Sequence, residues 1–386
     1  MSDPAPPGLA DGPVYLDYNA TTPIDPRVLD ALLPYLRTDF GNPSSSHVYG
    51  EAPHAALDTA RTRVADLLGA RPGEIVFTGS GSESNLLALQ GVMVARGQRA
   101  HLIAQVTEHP SVLQTCRALE RLHGVRVTLL PVSSDGHVDP DALAAAIGDD
   151  TALVSIMVAN NETGVLQPIQ ELAAIAHRHG ALFHCDAAQA AGKIALDVDT
   201  LGVDLLTVVG HKMYAPKGIA ALYVRTGVEL EPVVHGGGQE HGLRAGTENV
   251  AFAVALGAAA ELAAADLTDG TVHRIARLRD ELHRKLTEAL PCRLHLNGAA
   301  EARLPNTLNI SIDGCLGHEM LAAASEIAAS TGSACHSGTH TPSPVLTAMG
   351  IPEQRAMATV RLSLGRWTTL RDIETATAAL TKVVAT

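Results

Sequence analysis

The alternation of short apolar runs with helix-like segments is the sequence feature that most limits the possible folds. From residue 74 onwards, seven such runs recur at 75–77, 101–106, 125–130, 152–158, 181–184, 204–209 and 219–224. Strands joined by helices run parallel, and a parallel sheet needs helices on both faces. We therefore expect an α/β fold with a mostly parallel, seven-stranded sheet.

The pattern changes after two Ala-rich helical segments at 248–265 and 271–290. Strand-like runs at 293–296, 307–312, 326–329 and 359–364 then alternate with helical segments at 317–324 and from 370 onwards. A chain of 386 residues has room for one large domain or two. We expect a large domain over 14–262 and a smaller α+β domain over 263–386, on which residues 1–25 pack.

Charge and cysteine content narrow the class of protein. A net charge of −13 argues against nucleic-acid binding and against an anionic membrane surface. No run of about eighteen apolar residues lacks charges or breakers, so no membrane span is expected. The N-terminus has neither the basic region nor the apolar core of a signal peptide. The five cysteines are odd in number and have no CxxC spacing, which is typical of free thiols in a reducing cytoplasm.

Lys212 lies in the turn Val209-Gly210-His211-Lys212, directly after the apolar run Leu205–Val209. A lysine at the C-terminal edge of a parallel sheet can be partly desolvated and kept nucleophilic. Taken alone, however, a solvated lysine at the end of a strand is the commoner explanation. The residues at the ends of the other strands decide between these two explanations.

Two of those strand ends carry Asp186 and His109. A buried carboxylate is costly unless it is paired, so Asp186 should face a cation. A carboxylate against a protonated ring nitrogen, together with a lysine that bonds the cofactor, is the arrangement of a pyridoxal phosphate site. His109 could stack on such a ring and move protons. It could equally be a histidine at the start of a helix.

The turn Gly79-Ser80-Gly81-Ser82 opens a helix and offers backbone N–H groups to an anion. It lacks the spacing of the dinucleotide and P-loop motifs, and a plain capped helix start explains it as well. Thr247 follows the glycine-rich stretch 236–238 and is either a helix N-cap or a phosphate ligand.

Cys335 lies within the loop 330–341, which small residues and glycines predict to be flexible. A thiol in such a loop, followed by His336, favours nucleophilic or redox chemistry. Cys335, His336 and His340 could also form part of a metal site, but no fourth ligand is visible.

Several motifs in order carry a resemblance to a known family. They are Gly41-Asn42-Pro43-Ser44-Ser45, Thr107-Glu108-His109, Asn160-Asn161-Glu162-Thr163-Gly164, Asp186-Ala187-Ala188-Gln189, Gly210-His211-Lys212 and Arg244-Ala245-Gly246-Thr247. From Tyr15 to Leu364 the chain resembles the cysteine desulfurases, pyridoxal-phosphate enzymes of the class V aminotransferase group with the aspartate aminotransferase fold (fold type I). The segment Gly332–Cys335 resembles the subgroup whose cysteine lies on a long flexible loop.

The resemblance implies a role for each matching residue. It makes Lys212, Cys335 and His109 the catalytic residues. It implies that pyridoxal phosphate is bound by Gly81, Ser82, His109, Asn161, Asp186, Gln189, His211, Lys212 and Thr247, with Thr247 coming from the partner subunit of a homodimer. It implies that the substrate carboxylate is bound by Asn19, Asn42 and Arg361. It implies no metal.

The implied reaction converts L-cysteine to L-alanine and leaves the sulfur on Cys335 as a persulfide. The sulfur would pass to a protein acceptor, such as an iron–sulfur scaffold or a sulfur carrier.

One departure from the family pattern is Val209, because relatives commonly have a phosphate-binding serine there. A second is the segment Pro342–Leu346, which resembles selenocysteine lyases and keeps L-selenocysteine as an alternative substrate. An aminotransferase, and a non-catalytic thiol or iron–sulfur binding module, are further alternatives.

Overall fold

A computed structural model describes residues 5–97, 100–332 and 341–385, so Cys335, His336 and His340 lie outside the described residues. The described strands are β1 (Val14–Tyr15), β2 (Ile75–Thr78), β3 (His101–Gln105), β4 (Arg126–Leu130), β5 (Thr151–Ser155), β6 (Leu182–Asp186), β7 (Leu205–Val209), β8 (Ala220–Val224), β9 (Leu294–Leu296), β10 (Thr307–Ile312), β11 (Ile327–Ala328) and β12 (Thr359–Ser363). The described α-helices are α1 (Pro26–Arg37), α2 (Val48–Leu68), α3 (Gly81–Ala95), α4 (Pro110–His123), α5 (Pro140–Ala146), α6 (Ile169–Arg178), α7 (Val198–Leu201), α8 (Val250–Thr268), α9 (Thr271–Ala289), α10 (Gly317–Ala323), α11 (Pro344–Ala348), α12 (Glu353–Met357) and α13 (Leu370–Ala385).

Seven strands form the central sheet in the order β2-β8-β7-β6-β5-β3-β4. β8 runs antiparallel to both of its neighbours, and the other six strands run in one direction. Every residue of β2, β3, β5, β6, β7 and β8 is buried, as continuous apolar runs predict for a sheet covered on both faces. The expected α/β fold with a mostly parallel, seven-stranded sheet is confirmed.

Helix α8 is the main helix of the large core. It is apolar and long enough to cross a membrane by length and composition, but 67% of its apolar window is buried within the fold. A Cβ on Gly257 would lie 2.6 Å from Cα of Ala60, so α8 and α2 approach each other closely at a position that only glycine fills. α8 is therefore packed as the core helix of a globular protein.

A second apolar core surrounds the antiparallel sheet β12-β10-β9, with side chains from α9 and α13. β1 pairs in parallel with β11, and Leu16 is buried in this second core. The N-terminal segment thus contacts elements from the C-terminal part of the chain. α8 continues unbroken past residue 262 and belongs to the large core, so the change of core falls between α8 and α9. The division into two domains stays a prediction.

Candidate active site

The six strands of common direction end at one edge of the sheet, where a cavity of about 480 Å³ opens. Open α/β sheets bind ligands at this edge because the loops after the strands converge there. Ten of the residues predicted from the sequence line this cavity: Asn19, Gly81, Ser82, His109, Asn161, Asp186, Gln189, His211, Lys212 and Arg361.

Asn42 and Thr247 do not line this cavity. Asn42 lies in the loop between α1 and α2, where its Oδ1 accepts the backbone N–H of Ser44 at 2.9 Å. Thr247 lies in the loop before α8, but the N-cap of that helix is Asn249, whose Oδ1 accepts the N–H of Phe252 at 3.2 Å. The neighbours Ser44 and Glu248 line a second, surface cavity of about 550 Å³. The two residues thus lie near a different surface of the chain.

Lys212 ends a short 3₁₀ turn that follows β7 directly. Its Nζ donates to the carbonyl oxygen of Asn19 at 2.6 Å and to that of Ala20 at 2.7 Å. Burial, and then the neighbouring charge of Arg361, lower the pKa of Lys212 to about 8. The amine therefore loses its proton more readily than a solvated lysine does, which suits a nucleophile.

Asp186 is the last residue of β6 and is buried beside the cavity. Its Oδ2 accepts from Asn85 Nδ2 at 2.9 Å, and its Oδ1 accepts the backbone N–H of Ala188 at 2.9 Å. These two donors hold the carboxylate in place beside the cavity. No motif in the sequence marks Asn85, although it lies one turn of α3 after Gly81 and so shares its face.

His109 forms the N-cap of α4 and also lines the cavity, so both interpretations of this residue apply. Its Nδ1 accepts the backbone N–H of Ser111 at 3.1 Å, which leaves the proton of the neutral ring on Nε2. Ser111 Oγ lies 2.8 Å from the same Nδ1 and accepts from Asn85 Nδ2 at 2.8 Å. Burial lowers the pKa of His109, so the ring is neutral at pH 7. Asn85 therefore connects Asp186 with the group that orients His109.

Glu108 is a further acidic group next to this network, and the sequence did not single it out. It is buried, and its Oε1 accepts the backbone N–H of Met157 at 2.6 Å. Burial, reinforced by the charge of Asp186, raises the pKa of Glu108 well above its ordinary value. Burial therefore favours the protonated form of Glu108.

The start of α3 forms the opposite part of the cavity wall. Ser80 is the N-cap and accepts the N–H of Glu83 at 3.1 Å, which leaves Gly81 and Ser82 in the first turn facing the cavity. A helix N-terminus of this kind favours an anion. A Cβ on Gly81 would lie 2.6 Å from Cγ2 of Val209, so the Val209 methyl group packs directly on the Gly81 backbone.

His211 also lines the cavity, next to Lys212. Its Nδ1 lies 3.2 Å from Oγ1 of Thr21. Burial, with the charge of Lys212 as the next cause, lowers the pKa of His211 to about 4. The ring is therefore neutral at pH 7 and can offer an anion an N–H group but no charge.

Arg361, on β12, brings a guanidinium group from the second core into the cavity. Its Nη2 donates to Asp17 Oδ1 at 2.7 Å, and its Nη1 donates to the carbonyl oxygen of Asn161 at 3.0 Å. Its Nε is buried and has no partner among the described residues. An unpaired N–H donor on a planar guanidinium group suits a carboxylate. Asp17 is a partner that the sequence did not predict.

Asn19 contributes its backbone rather than its side chain to Lys212. Its Nδ2 donates to Thr307 Oγ1 at 2.9 Å and to the Asn161 carbonyl at 3.2 Å. Its Oδ1 accepts from Asn306 Nδ2 at 2.9 Å. The side chain therefore holds the N-terminal segment to β10, and its predicted contact with the substrate carboxylate stays a prediction.

The groups around the cavity fit pyridoxal phosphate. An amine with a lowered pKa, a buried carboxylate with its own donors, an imidazole and a helix N-terminus surround one space. The cofactor needs a lysine to bond its aldehyde, a carboxylate for its ring nitrogen and donors for its phosphate. The fold and the site together define a pyridoxal-phosphate-dependent enzyme of the aspartate aminotransferase type.

Comparisons with known proteins identify the family. The aminotransferase class-V family model matches residues 14–375. A cysteine desulfurase IscS of Dictyoglomus turgidum is 43% identical over 374 residues, which are 96% of this chain and 94% of that protein. A solved NifS-like protein is 34% identical, covers 97% of this chain and 99% of its own, and has a TM-score of 0.90. The solved structure of SspA in complex with cysteine is 38% identical, covers 92% of this chain and 99% of its own, and has a TM-score of 0.81. The chain belongs to the cysteine desulfurase family.

Family membership settles the class of reaction. The protein is an enzyme, its cofactor is pyridoxal phosphate, and its substrate is L-cysteine. Nothing in the comparisons favours the selenocysteine lyase alternative, and the enzyme family leaves no support for a non-catalytic binding module. The metal site considered at Cys335, His336 and His340 lies outside the described residues.

Proposed function

We propose that this cysteine desulfurase moves the sulfur of L-cysteine onto Cys335 as a persulfide and releases L-alanine. The observation that supports the proposal most is the convergence of Lys212, Asp186 and His109 on one cavity. These residues come from three different strand ends. Cys335 is the cysteine that the family motif marks, and Ser330 and Gly332, which precede it in the chain, line the cavity.

The residues of the cavity have distinct tasks in binding. Lys212 would bond the cofactor, Asp186 would hold its ring nitrogen protonated, and His109 would stack on its ring. Asn161 and Gln189 would contact its phenolic oxygen, and Gly81, Ser82 and His211 would bind its phosphate. When bound, pyridoxal phosphate supplies an electron sink for negative charge at the substrate α-carbon.

Proton transfer falls to Lys212 and His109. With a pKa of about 8, Lys212 Nζ can accept a proton from the substrate α-carbon and return it near neutral pH. His109 carries its proton on Nε2, and its Nδ1 is held by Ser111. Arg361 would bind the substrate carboxylate through its free Nε and so orient the α-carbon.

The sulfur step is a transfer between two thiols. The Cys335 thiolate attacks the sulfur of the substrate, and a new S–S bond forms as the substrate C–S bond breaks. The electron pair of that bond stays on the carbon, which then takes up a proton and becomes the methyl group of alanine. Overall, one thiol and one cysteine give one persulfide and one alanine, so no external oxidant or reductant is needed.

We also propose that the enzyme works as a homodimer. Asn42 and Thr247 match the family motifs but lie near a separate surface cavity of about 550 Å³, bounded in part by their neighbours Ser44 and Glu248. In a dimer, Thr247 would complete the phosphate site of the partner subunit. Asn42 would reach the partner's substrate site by the same route.

The acceptor of the sulfur is a protein thiol, such as that of an iron–sulfur scaffold or a sulfur carrier in the cytoplasm. A persulfide passes its outer sulfur to a second thiolate by the same exchange chemistry that formed it. The net negative charge of the chain, −13, argues against direct transfer of the sulfur to tRNA.

Mass spectrometry of the purified protein after exposure to L-cysteine tests the proposal. We expect one additional sulfur atom on the peptide that contains Cys335, and alanine in the supernatant. Cys335→Ser should lose alanine formation by at least about 100-fold, because the attacking thiolate is gone. Cys292→Ser, at an exposed cysteine outside the cavity, is the matched control and should retain activity. Full alanine formation by Cys335→Ser would rule out the persulfide mechanism.

A further inference from the structure

We infer that Lys193 is a positioning residue of the active site, which locks the side-chain amide of Gln189 so that its NH₂ group faces the cavity side. Lys193 is not among the motif residues named above, and it does not line the active-site cavity of about 480 Å³. It lies in the turn that follows β6, four residues after Gln189, and Gly192 between them has a φ of +72°. The two side chains meet through a direct hydrogen bond. The inference rests on the proposed binding of pyridoxal phosphate in this cavity.

The amide of Gln189 is held at both ends. Lys193 Nζ donates to Gln189 Oε1 at 2.9 Å. Gln189 Nε2 donates to the carbonyl oxygen of Asn19 at 2.9 Å. That carbonyl oxygen also accepts from Lys212 Nζ at 2.6 Å, so a continuous hydrogen-bonded chain runs from Lys193 to Lys212.

These partners allow one amide orientation. A backbone carbonyl is only an acceptor, and the protonated form of Lys193 is only a donor, so with Lys193 protonated the flipped amide would oppose like partners at both ends. One hydrogen of Nε2 serves Asn19, and the other is left for the cavity, which Gln189 lines. Gln189 is therefore fixed as a hydrogen-bond donor toward a ligand. The loss of Lys193 leaves only the Asn19 carbonyl oxygen to select the amide orientation.

The position of Lys193 is costly for the fold. Burial, followed by the charges of Lys212 and Arg361, lowers the pKa of Lys193 to about 7. Lys193 and Lys212 also line a separate, small cavity of about 30 Å³, which has room for a single water molecule. An amine buried near two other cations destabilises the fold unless it is paired, and its described hydrogen bond goes to the neutral amide of Gln189.

A fixed donor favours an acceptor oxygen that carries negative charge. The phenolic oxygen of pyridoxal phosphate has this character, and Gln189 is the residue proposed to contact it. Lys193 should therefore contribute to binding through that one ligand atom. A lysine that only stabilised the fold, or only attracted the phosphate, would influence every ligand of this shape equally.

Equilibrium dialysis of the full chain, stripped of bound cofactor, separates these possibilities. The probes are pyridoxal 5′-phosphate and 3-deoxypyridoxal 5′-phosphate, which lacks the phenolic oxygen. We expect Lys193→Met to weaken binding of the first about tenfold and binding of the second less than about twofold. Lys193→Arg retains a donor and should recover most of the lost affinity. Equal weakening of both probes, or of neither, would overturn the inference.

Two controls make the result specific. Lys217→Met removes a lysine that lines the active-site cavity, so a general charge effect should weaken the binding of both probes to the same degree. In a Gln189→Met background, Lys193→Met should have no further effect on either probe, because Lys193 acts through Gln189. An additive effect in that background would contradict the inference. Wild-type protein that bound neither probe would refute the proposed function itself, which distinguishes the two failures.

Discussion

At the scale of single residues, Val209 stands where the family resemblance leads us to expect a phosphate-binding serine. Its methyl group packs on Gly81, at the point where α3 presents its N-terminus to the cavity. A serine in this position would place a hydroxyl donor next to the phosphate site. The valine instead contributes apolar packing, so in the proposed site phosphate binding would depend on Ser82, His211 and the start of α3.

Val209→Ser should bind pyridoxal phosphate more tightly than the wild type. One hydrogen bond to a charged group corresponds to an affinity gain of about tenfold. Titration of the cofactor-free protein, followed by absorbance, measures the dissociation constant. Val209→Ala is the control, because it removes the same methyl groups without a hydroxyl. Equal affinities of the serine and alanine variants would show that the hydroxyl has no phosphate partner.

At the scale of secondary structure, the three central strands are joined by a buried histidine as well as by backbone hydrogen bonds. His184 on β6 is fully buried, and its Nδ1 lies 2.8 Å from Ser155 Oγ on β5. Its Nε2 lies 3.2 Å from Thr207 Oγ1 on β7. Burial lowers the pKa of His184 to about 4, against the opposing effect of Asp186. The histidine is therefore neutral in the folded protein at pH 7.

This pKa makes stability depend on acid in a defined range. Between pH 6.5 and about 4, the unfolded chain binds a proton at His184 and the folded chain does not. The free energy of unfolding therefore falls as the pH drops through this range. His184→Gln should reduce the number of protons taken up on unfolding, which sets this slope, by up to about one. The substitution should lower the free energy of unfolding by about 1–3 kcal/mol at pH 7.5.

Urea unfolding of the cofactor-free protein at several pH values measures the slope. His123→Gln, on the exposed end of α4, is the control and should retain the wild-type slope. Parallel curves for wild type and His184→Gln between pH 6.5 and 4 would show that His184 is not the titrating group.

At the scale of the whole molecule, the site is assembled from distant parts of the chain. Asp17 and Arg361 are 344 residues apart in sequence, and their side chains pair at 2.7 Å. Lys212 contacts the carbonyl of Asn19, which is 193 residues away. The N-terminal segment therefore connects the β12 sheet with the end of β7. The proposed dimer adds a second chain to this assembly through Thr247.

Mixed dimers test the role of Thr247. A dimer of one Lys212→Ala subunit and one Thr247→Ala subunit has one cavity with both changes and one with neither, if Thr247 acts across the interface. We expect such a dimer to regain about half of the wild-type activity at limiting cofactor, although each homodimer is impaired. Alanine formation by purified, differently tagged heterodimers is the measurement. Heterodimers no more active than the average of the two homodimers would place Thr247 in the site of its own chain.

The sequence by itself determined the elements and the points where chemistry is placed. Runs such as Leu205–Val209 are apolar throughout because a strand covered on both faces has no solvent side, and this pattern is readable without coordinates. The turns after these runs carry Lys212, Asp186 and His109, since loops at strand ends meet at one edge. Their motifs were sufficient to recognise the family.

Only the tertiary structure decided the state of each group and its supporting partners. The lowered pKa of Lys212 depends on burial and on Arg361, and neither is local in sequence. Asn85 on α3 and Lys193 in the turn after β6 are common residue types, so no spacing distinguishes them from surface residues. Their roles follow from hydrogen bonds to Asp186 and Gln189. Desolvation and long-range pairing arise only when the chain packs, and for this reason the supporting residues could not be predicted from the sequence.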